Sequence, residues 1–577
     1  MTEDRGRLRI LWLMAAAALL AAVLVGRLTY WQVVQHGHIL ALAAEQHQVT
    51  FNLPASRGRI LDRSQQLLAS DTPVYDVVAA PNLIPADRRA ETAAVLAPLL
   101  DRPQADVLKD LERKLKFEYL KRKLPKAAAD KIDSRHLAGI ALEQNVTRSY
   151  LQVDAGPGGG DARSLASNLL GFVNDQGAGQ YGVEQYYDAI LRGQDGVEST
   201  LKTGADQTIT LSDRKRVDPR NGDDLVLGLD SQVQFFAEKA LADGVKKTGA
   251  ESGTVLIMEP GTGNIVAWAD YPTFDANHFR GTDGKLFTDP VVSSLYEPGS
   301  LMKVATLSGG MDDGAITPEY AFNETGAVNV GGYTIRDWDL KAHGNITMTR
   351  VLEESYNVGA VKVQQMEGAT NFYKYLSLFG IGRKTGVDVG NEVAQPLPAL
   401  NSVYPSQLAT MSFGQGIAVT PIEMITALNT VANRGKYIKP RAVTERVNSN
   451  GTMTPLSIDP GVQIITPETA QKMRDMMVSV VEHGSGWTAK MDGWKGQVAG
   501  KTGTANIPEN GKYTDKVVAS FAGFMPALNP RFTMVVIMRK PQGGGFQQEG
   551  TFAAAPIWKQ IAQQILMQWQ VTPGAPG

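Results

Sequence analysis

Residues 10–26 (ILWLMAAAALLAAVLVG) carry no charge, and residues 28–34 extend the apolar run with Tyr30 and Trp31 where an interfacial aromatic belt would lie. In lipid such a segment must satisfy its own backbone, which selects a helix. The run is Ala-rich and short for a span, so a cleaved signal peptide is the alternative. After Arg27, however, the sequence turns amphipathic without a clear small-residue cleavage site. Arg5, Arg7 and Arg9 precede the run, and no Lys or Arg occurs from 28 to 56, so the positive-inside bias puts the N-terminus in the cytoplasm. No second comparable run follows. The expectation is a cytoplasmic tail over 1–9, one transmembrane helix over 10–31 in the plasma (inner) membrane, and a large extracytoplasmic body.

Composition narrows the chemistry. The 577 residues carry 57 Lys+Arg against 59 Asp+Glu, a balance that fits neither a disordered chain nor a nucleic-acid binder. There is no cysteine, which removes a thiol nucleophile, a thiolate metal site and a disulfide framework together. The seven histidines show no i, i+4 pair of the helical zinc type, so no metal site and no cofactor are expected. A nucleophile, if present, is oxygen or nitrogen.

From about 49 to 224 the sequence is polar and mixed, with strand-like pieces such as residues 74–78 and a charged stretch over 105–126 that reads as a helix with a solvated Lys/Arg face. This is expected to be an elongated non-catalytic region over 32–224. The Gly-rich piece at 156–160 reads as a loop. From 225 onward the texture becomes apolar and well punctuated. Residues 254–258 and 264–269 read as a hairpin, 517–524 and 532–538 as two further strands, and 555–568 as a closing helix. Thr420, Pro421 and Glu423 open a capped helix that Asn433-Arg434-Gly435 stops. Strands early and late with helices between indicate an α+β or α/β domain over 225–577.

A serine activated by a lysine needs the two on one helix face, as i and i+3 provide. Two Ser-x-x-Lys matches exist. Ser212-Asp213-Arg214-Lys215 lies in a highly charged run where the lysine would stay protonated. Ser300-Leu301-Met302-Lys303 follows the turn Glu297-Pro298-Gly299 and enters an apolar segment, so Ser300 falls at a helix start and burial can lower the Lys303 pKa. Downstream stands Ser355-Tyr356-Asn357 at the expected end of a helix beginning near Thr349. Lys-Thr-Gly occurs four times, at 202, 247, 384 and 501. The first two precede Ser300 and the third lies in a Gly-rich loop. Only Lys501-Thr502-Gly503-Thr504 precedes an antiparallel pair that would make it a sheet-edge strand.

Each residue type then has a task. Ser300 attacks a carbonyl carbon, neutral Lys303 takes its proton, Ser355 relays protons towards Lys501 and the leaving nitrogen, and Asn357 holds the substrate amide. Lys501 supplies a positive field for a carboxylate that the Thr502 and Thr504 hydroxyls bind. The N–H groups of Ser300 and Thr504 would form an oxyanion hole.

With these motifs, YEPGSLMK, SYN and GKTGTA, the chain resembles the class B penicillin-binding proteins along almost its whole length. The resemblance includes Arg57-Gly-Arg-Ile-Leu-Asp-Arg63, Gly182-Val-Glu184 with Leu191-Arg-Gly-Gln-Asp-Gly196, Tyr271-Pro-Thr-Phe-Asp-Ala-Asn277 and Ser412-Phe-Gly-Gln-Gly416. It implies a penicilloyl-serine transferase fold, helices packed on an antiparallel sheet, behind a dimerisation-type pedestal. It also implies acylation of Ser300 by the D-Ala-D-Ala end of a peptidoglycan stem peptide, transfer to a neighbouring amine, and inactivation by β-lactams. A membrane glycosyltransferase of the SEDS type, the lipid-linked precursor and division or elongation proteins are the implied partners.

Asp62-Arg63-Ser64-Gln65 departs from the family's Asp-Arg-Asn-Gly, and Arg148-Ser149-Tyr150-Leu151 from its Arg-x-Tyr-Pro. Arg27-Leu28, Trp31-Gln32 and the Glu-Pro-Gly-Ser form of the first motif look closer to division-type members. An elongation-specific transpeptidase, a carboxypeptidase or β-lactamase, and a non-enzymatic penicillin sensor are the alternatives.

Overall fold

The computed structural model describes residues 3–38, 48–153, 163–201 and 215–574. The Gly-rich piece at 156–160 lies outside the described residues. The chain divides into two compact units, one of residues 1–56 and 193–222, the other of 57–192 and 223–577.

In the first unit, helix α1 (Glu3–Thr29) runs into a π turn at Tyr30–Val34. The 29 residues from Gly6 to Val34 are apolar enough to cross a bilayer. At about 1.5 Å per residue they reach roughly 43 Å, beyond the ~30 Å hydrocarbon core. Strands Gln48–Leu53, Gly196–Leu201 and Lys215–Val217 form an antiparallel sheet with Gly196–Leu201 in the middle.

In the second unit, strand Leu67–Ala79 pairs antiparallel with Ile140–Tyr150 and Glu118–Pro125. The charged stretch over 105–126 is not the single helix expected from the sequence. The helix covers only Gln104–Leu111, and Glu118–Pro125 is a strand. Leu120 and Leu124, both buried, are four residues apart, a spacing that serves one face of a helix or of a strand. The basic residues serve both elements: Arg113 pairs with Asp110 and Glu118, while the Arg122 guanidinium stacks 3.9 Å from the Tyr119 ring. The same sheet continues through Ile60–Leu61 into Asp224–Leu227 and then Val443–Val447, so residues from both halves of the chain share it. Beside it Arg57 and Arg148 converge on Glu184, which is fully buried, at 2.6 and 2.8 Å.

The C-terminal part is built on a five-stranded antiparallel sheet. Asp230 caps helix α2 (Ser231–Thr248) by accepting from Gln232 and Val233 N–H, and Gly249 at φ +62° ends it. Strands β1 (Ser252–Met258) and β2 (Ile265–Tyr271) form the hairpin read from the sequence. Helices α3 (Met302–Asp312), α4 (Met348–Glu354), α5 (Asn357–Glu367), α6 (Pro421–Ala432) and α7 (Pro467–His483) follow. Strands β3 (Ala499–Glu509), β4 (Lys512–Met525) and β5 (Phe532–Arg539) and helix α8 (Ala555–Gln568) complete the domain. The strand order is β2-β1-β5-β4-β3, which leaves β3 at the edge.

Period-2 alternation explains why this sheet is apolar on both faces. Val255 and Ile257 of β1, with Met534, Val536 and Met538 of β5, join a core under α2 and α8 that contains Leu241, Trp558 and Ile561. Leu256, Met258, Val535 and Ile537 face the opposite core, with Met302, Val304 and Leu307 of α3 and Ile422, Ile425 and Leu428 of α6. Helix α6 is buried along its whole length and carries the expected capping box between Thr420 and Glu423. The fold is therefore the expected α+β arrangement with one N-terminal apolar helix.

Candidate active site

Ser300 sits in a 3₁₀ turn, Gly299–Leu301, that runs directly into α3. Gly299 has φ +54°, and a Cβ there would lie 2.7 Å from the Thr504 carbonyl oxygen. Only glycine lets the turn come this close to β3. The Gly299 N–H donates to the Gly414 carbonyl at 3.1 Å, so the Ser412-Phe-Gly-Gln-Gly416 loop braces the nucleophile's backbone.

One turn on, Lys303 is fully buried and its Nζ lies 3.1 Å from Ser300 Oγ, 2.9 Å from Asn357 Oδ1 and 3.4 Å from Ser355 Oγ, with the Ser355 carbonyl also in contact. A neutral amine has two N–H donors and one lone pair. Giving the donors to the Ser355 carbonyl and Asn357 Oδ1 leaves the lone pair to accept the Ser300 hydroxyl proton. Burial, then the nearby Lys501, pushes the Lys303 ammonium well below its ordinary range, while Asp337 opposes the shift.

Ser355 caps α4 in the left-handed region at φ +64°, a conformation uncommon for a non-glycine residue. That geometry holds its hydroxyl between the two lysines, with Lys501 Nζ donating to it at 2.8 Å. Lys501 Nζ also reaches the Thr502 carbonyl at 3.0 Å and Thr502 Oγ1 at 3.2 Å. Fully buried, it titrates at about 7, lowered by burial and partly restored by Glu354.

Asn357 has both ends of its side chain engaged. Oδ1 accepts from Lys303, and Nδ2 donates to the Arg336 carbonyl at 3.1 Å, leaving one N–H for a ligand amide. In edge strand β3, Lys501 pairs in register with Ala522 and Thr504 with Ala519. Gly503 is buried, and a Cβ on it would meet Ser520 Oγ at 2.3 Å. Thr502 Oγ1 contacts Ser485 Oγ at 2.8 Å, and Thr504 Oγ1 accepts from Gly550 N–H at 3.3 Å. Ser300, Ser355, Asn357, Thr502 and Thr504 all line one cleft of about 680 Å³.

The competing motifs lie elsewhere. Lys247 and Thr248 end α2. Lys384 is exposed in an irregular loop, where Thr385 hydrogen-bonds Glu392. Lys202-Thr203-Gly204 and Ser212 lie outside the described residues.

Sequence reading did not find Asp337, whose Oδ1 accepts the N–H groups of Asn357 and of Val358, the latter at 2.9 Å, at the start of α5. It belongs to no motif. Burial raises it to about 6. Ligand atoms of Asp337, Glu324 and His343 lie within 4.8 Å of one another. Both His343 ring nitrogens already face protein partners, Tyr356 OH and Asp339.

Comparison with known proteins places these features. Residues 253–563 match the penicillin-binding protein transpeptidase domain, and residues 52–227 match the penicillin-binding protein dimerisation domain. The chain is 31% identical to penicillin-binding protein PbpB of Mycolicibacterium smegmatis, over 97% of this chain and 91% of that one. It is 29% identical to peptidoglycan D,D-transpeptidase FtsI of Escherichia coli, over 98% and 92% of the two chains. The crystal structure of penicillin-binding protein 3 of Mycobacterium tuberculosis complexed with aztreonam superimposes with a TM-score of 0.69 at 26% identity, covering 91% of this chain and 99% of that one.

Proposed function

Because the chain belongs to the penicillin-binding protein transpeptidase family, we propose that it is a serine-type peptidoglycan D,D-transpeptidase and that Ser300 is its nucleophile. One observation carries the assignment of residues. The Lys303 amine is buried 3.1 Å from the Ser300 hydroxyl, in surroundings that disfavour its charged form.

Lys303 accepts the Ser300 proton as Oγ attacks the penultimate D-Ala carbonyl of a stem peptide. The C–N bond to the terminal D-Ala breaks, the proton passes through Ser355 to that nitrogen, and free D-Ala leaves an ester on Ser300. An acceptor amine then forms a new C–N bond as the C–Oγ bond breaks, and its proton returns to the serine oxygen. Thr502 and Thr504 hold the donor carboxylate in the positive field of buried Lys501, Asn357 holds its amide, and Gly503 lets β3 pack closely on the turn that carries Ser300. Backbone N–H groups of Ser300 and Thr504 stabilise the oxyanion; such donors contribute roughly 2.7–4 kcal/mol each. A β-lactam enters the same path and stops at the ester.

The domain reading takes residues 1–9 as a cytoplasmic tail, 10–31 as the span, 32–224 as pedestal and 225–577 as the transpeptidase domain outside the inner membrane; the matches over 52–227 and 253–563 support its last two divisions. The arginines at 5, 7 and 9 support this orientation. Likeness to FtsI supports a place in division-site wall synthesis, and a membrane glycosyltransferase of the SEDS type is the partner proposed for it.

Intact-mass measurement after exposure to benzylpenicillin, with peptide mapping of the adduct, tests the assignment. One penicilloyl group on the peptide containing Ser300 is expected. An adduct on another side chain overturns it.

A further inference from the structure

The transfer half of the reaction needs a second substrate, an amine. Among the described residues lining the cleft, the ionisable side chains are Glu354, His483 and Glu549. Neither lysine is among them. Glu354 is already paired with Arg350 at 2.9 Å. Glu549 makes no hydrogen bond or ion pair through its carboxylate within the described residues, although burial raises its pKa. A half-buried carboxylate that makes no bond to the protein in an active-site cleft is free to accept a ligand's donor.

Its position is fixed by its neighbours. The next residue, Gly550, donates to Thr504 Oγ1 at 3.3 Å, and a Cβ on Gly550 would lie 2.2 Å from the Ser520 carbonyl oxygen. Glu549 therefore sits beside the carboxylate-binding strand but carries the opposite charge preference. Exposed aromatic rings three residues to either side of it in sequence line the same cleft. Phe546 meets Trp338 edge to face at 6.1 Å between centroids, and Phe552 meets Trp487 in the same way at 6.1 Å. Such rings accept an alkyl chain and a cationic head.

We propose that Glu549, which shares its cleft with Phe546 and Phe552, is the specificity-determining group of the acceptor subsite and binds the side-chain ammonium of the incoming stem peptide. This rests on the transpeptidase reading above. Binding precedes chemistry: the held ammonium loses one proton to water, and the neutral nitrogen attacks the Ser300 ester. Its second proton passes through Lys303 to the serine oxygen as the C–Oγ bond breaks.

The test follows a thioester donor ending in D-alanyl thioglycolate, with a tripeptide whose third residue is lysine as acceptor, and reads the ratio of transfer product to hydrolysis product. Both products leave the same acyl-enzyme, so a poorly folded variant lowers both and leaves the ratio alone. For Glu549→Gln the ratio should fall about tenfold with the lysine peptide and stay unchanged with hydroxylamine, which is uncharged at the assay pH. Glu549→Asp should restore part of it. An unchanged ratio with the lysine peptide, or an equal fall with hydroxylamine, overturns the subsite. Wild-type protein that forms the acyl-enzyme but transfers it to no amine overturns the transpeptidase reading itself, and the subsite with it.

Discussion

Lys501 Nζ and Ser355 Oγ lie 2.8 Å apart although 146 residues separate them in sequence. Through that hydroxyl, two fully buried lysines from an edge strand and a helix are joined in one hydrogen-bonded chain. The protonation of each therefore affects the other.

The first prediction concerns which motif copies act. Ser300→Ala should abolish covalent labelling by a fluorescent penicillin, whereas Ser212→Ala should label normally. Lys384, exposed in its loop, should be replaceable by Ala without effect, and Lys501→Ala should weaken labelling at least a hundredfold. Equal losses at the two lysines would sink the assignment.

A second prediction is the pH profile of acylation. Lys303 must be neutral to take the proton, so the rate should rise on the acid side as it deprotonates. Lys501 loses its charge above about 7, which removes attraction for the donor carboxylate and should bring the rate down again. The second-order rate constant for penicillin acylation is expected to be bell-shaped, its alkaline limb far below an ordinary lysine pKa of about 10.4. A flat rate between about pH 6 and 9 would contradict the coupling.

The third is a trade of activity against stability. Lys501 titrates at about 7 when folded. Its unfolded value is about 10.4, so the folded state binds fewer protons between the two. Its burial thus costs stability, fully below about 7 and progressively less as pH rises towards 10.4. Lys501→Met should therefore unfold at higher denaturant at pH 7, by on the order of 1–3 kcal/mol, while losing acylation. The gain should shrink at pH 10; a gain independent of pH would refute the cause given.

The fourth concerns the buried ion network. Removing Glu184 leaves the Arg57 and Arg148 guanidiniums short of their shared partner. Glu184→Ala should cost about 3–5 kcal/mol in chemical denaturation, with acylation per folded molecule retained. A loss below about 1 kcal/mol would show that water, or the second partners Asp188 of Arg57 at 2.8 Å and Asp71 of Arg148 at 3.3 Å, replace it.

How much of this was visible beforehand depended on the kind of signal. The hairpin at 254–269, the late strands, the closing helix and the capped α6 announced themselves because apolar periodicity and capping residues agree. The strand at Glu118–Pro125 was hidden because Leu120 and Leu124 satisfy two periods at once among charged neighbours. Motif order separated Lys501 from Lys384, and the fold places the former at a sheet edge within reach of Ser355. Asp337 and Ser485 left no trace in sequence, since each matters only through contacts that folding creates. Glu549 was equally silent: a lone glutamate after Gly543-Gly544-Gly545 reads as loop until its cleft is formed.

Strand β5 lies between β1 and β4, so edge strand β3 is joined to the early hairpin only through residues made near the end of synthesis. A ribosome that has passed Ser300, Ser355 and even Lys501 has still not made the strand that joins β3 and β4 to the early hairpin. Completion of the sheet that carries β3 therefore waits on the last strand, which closes the gap between β1 and β4.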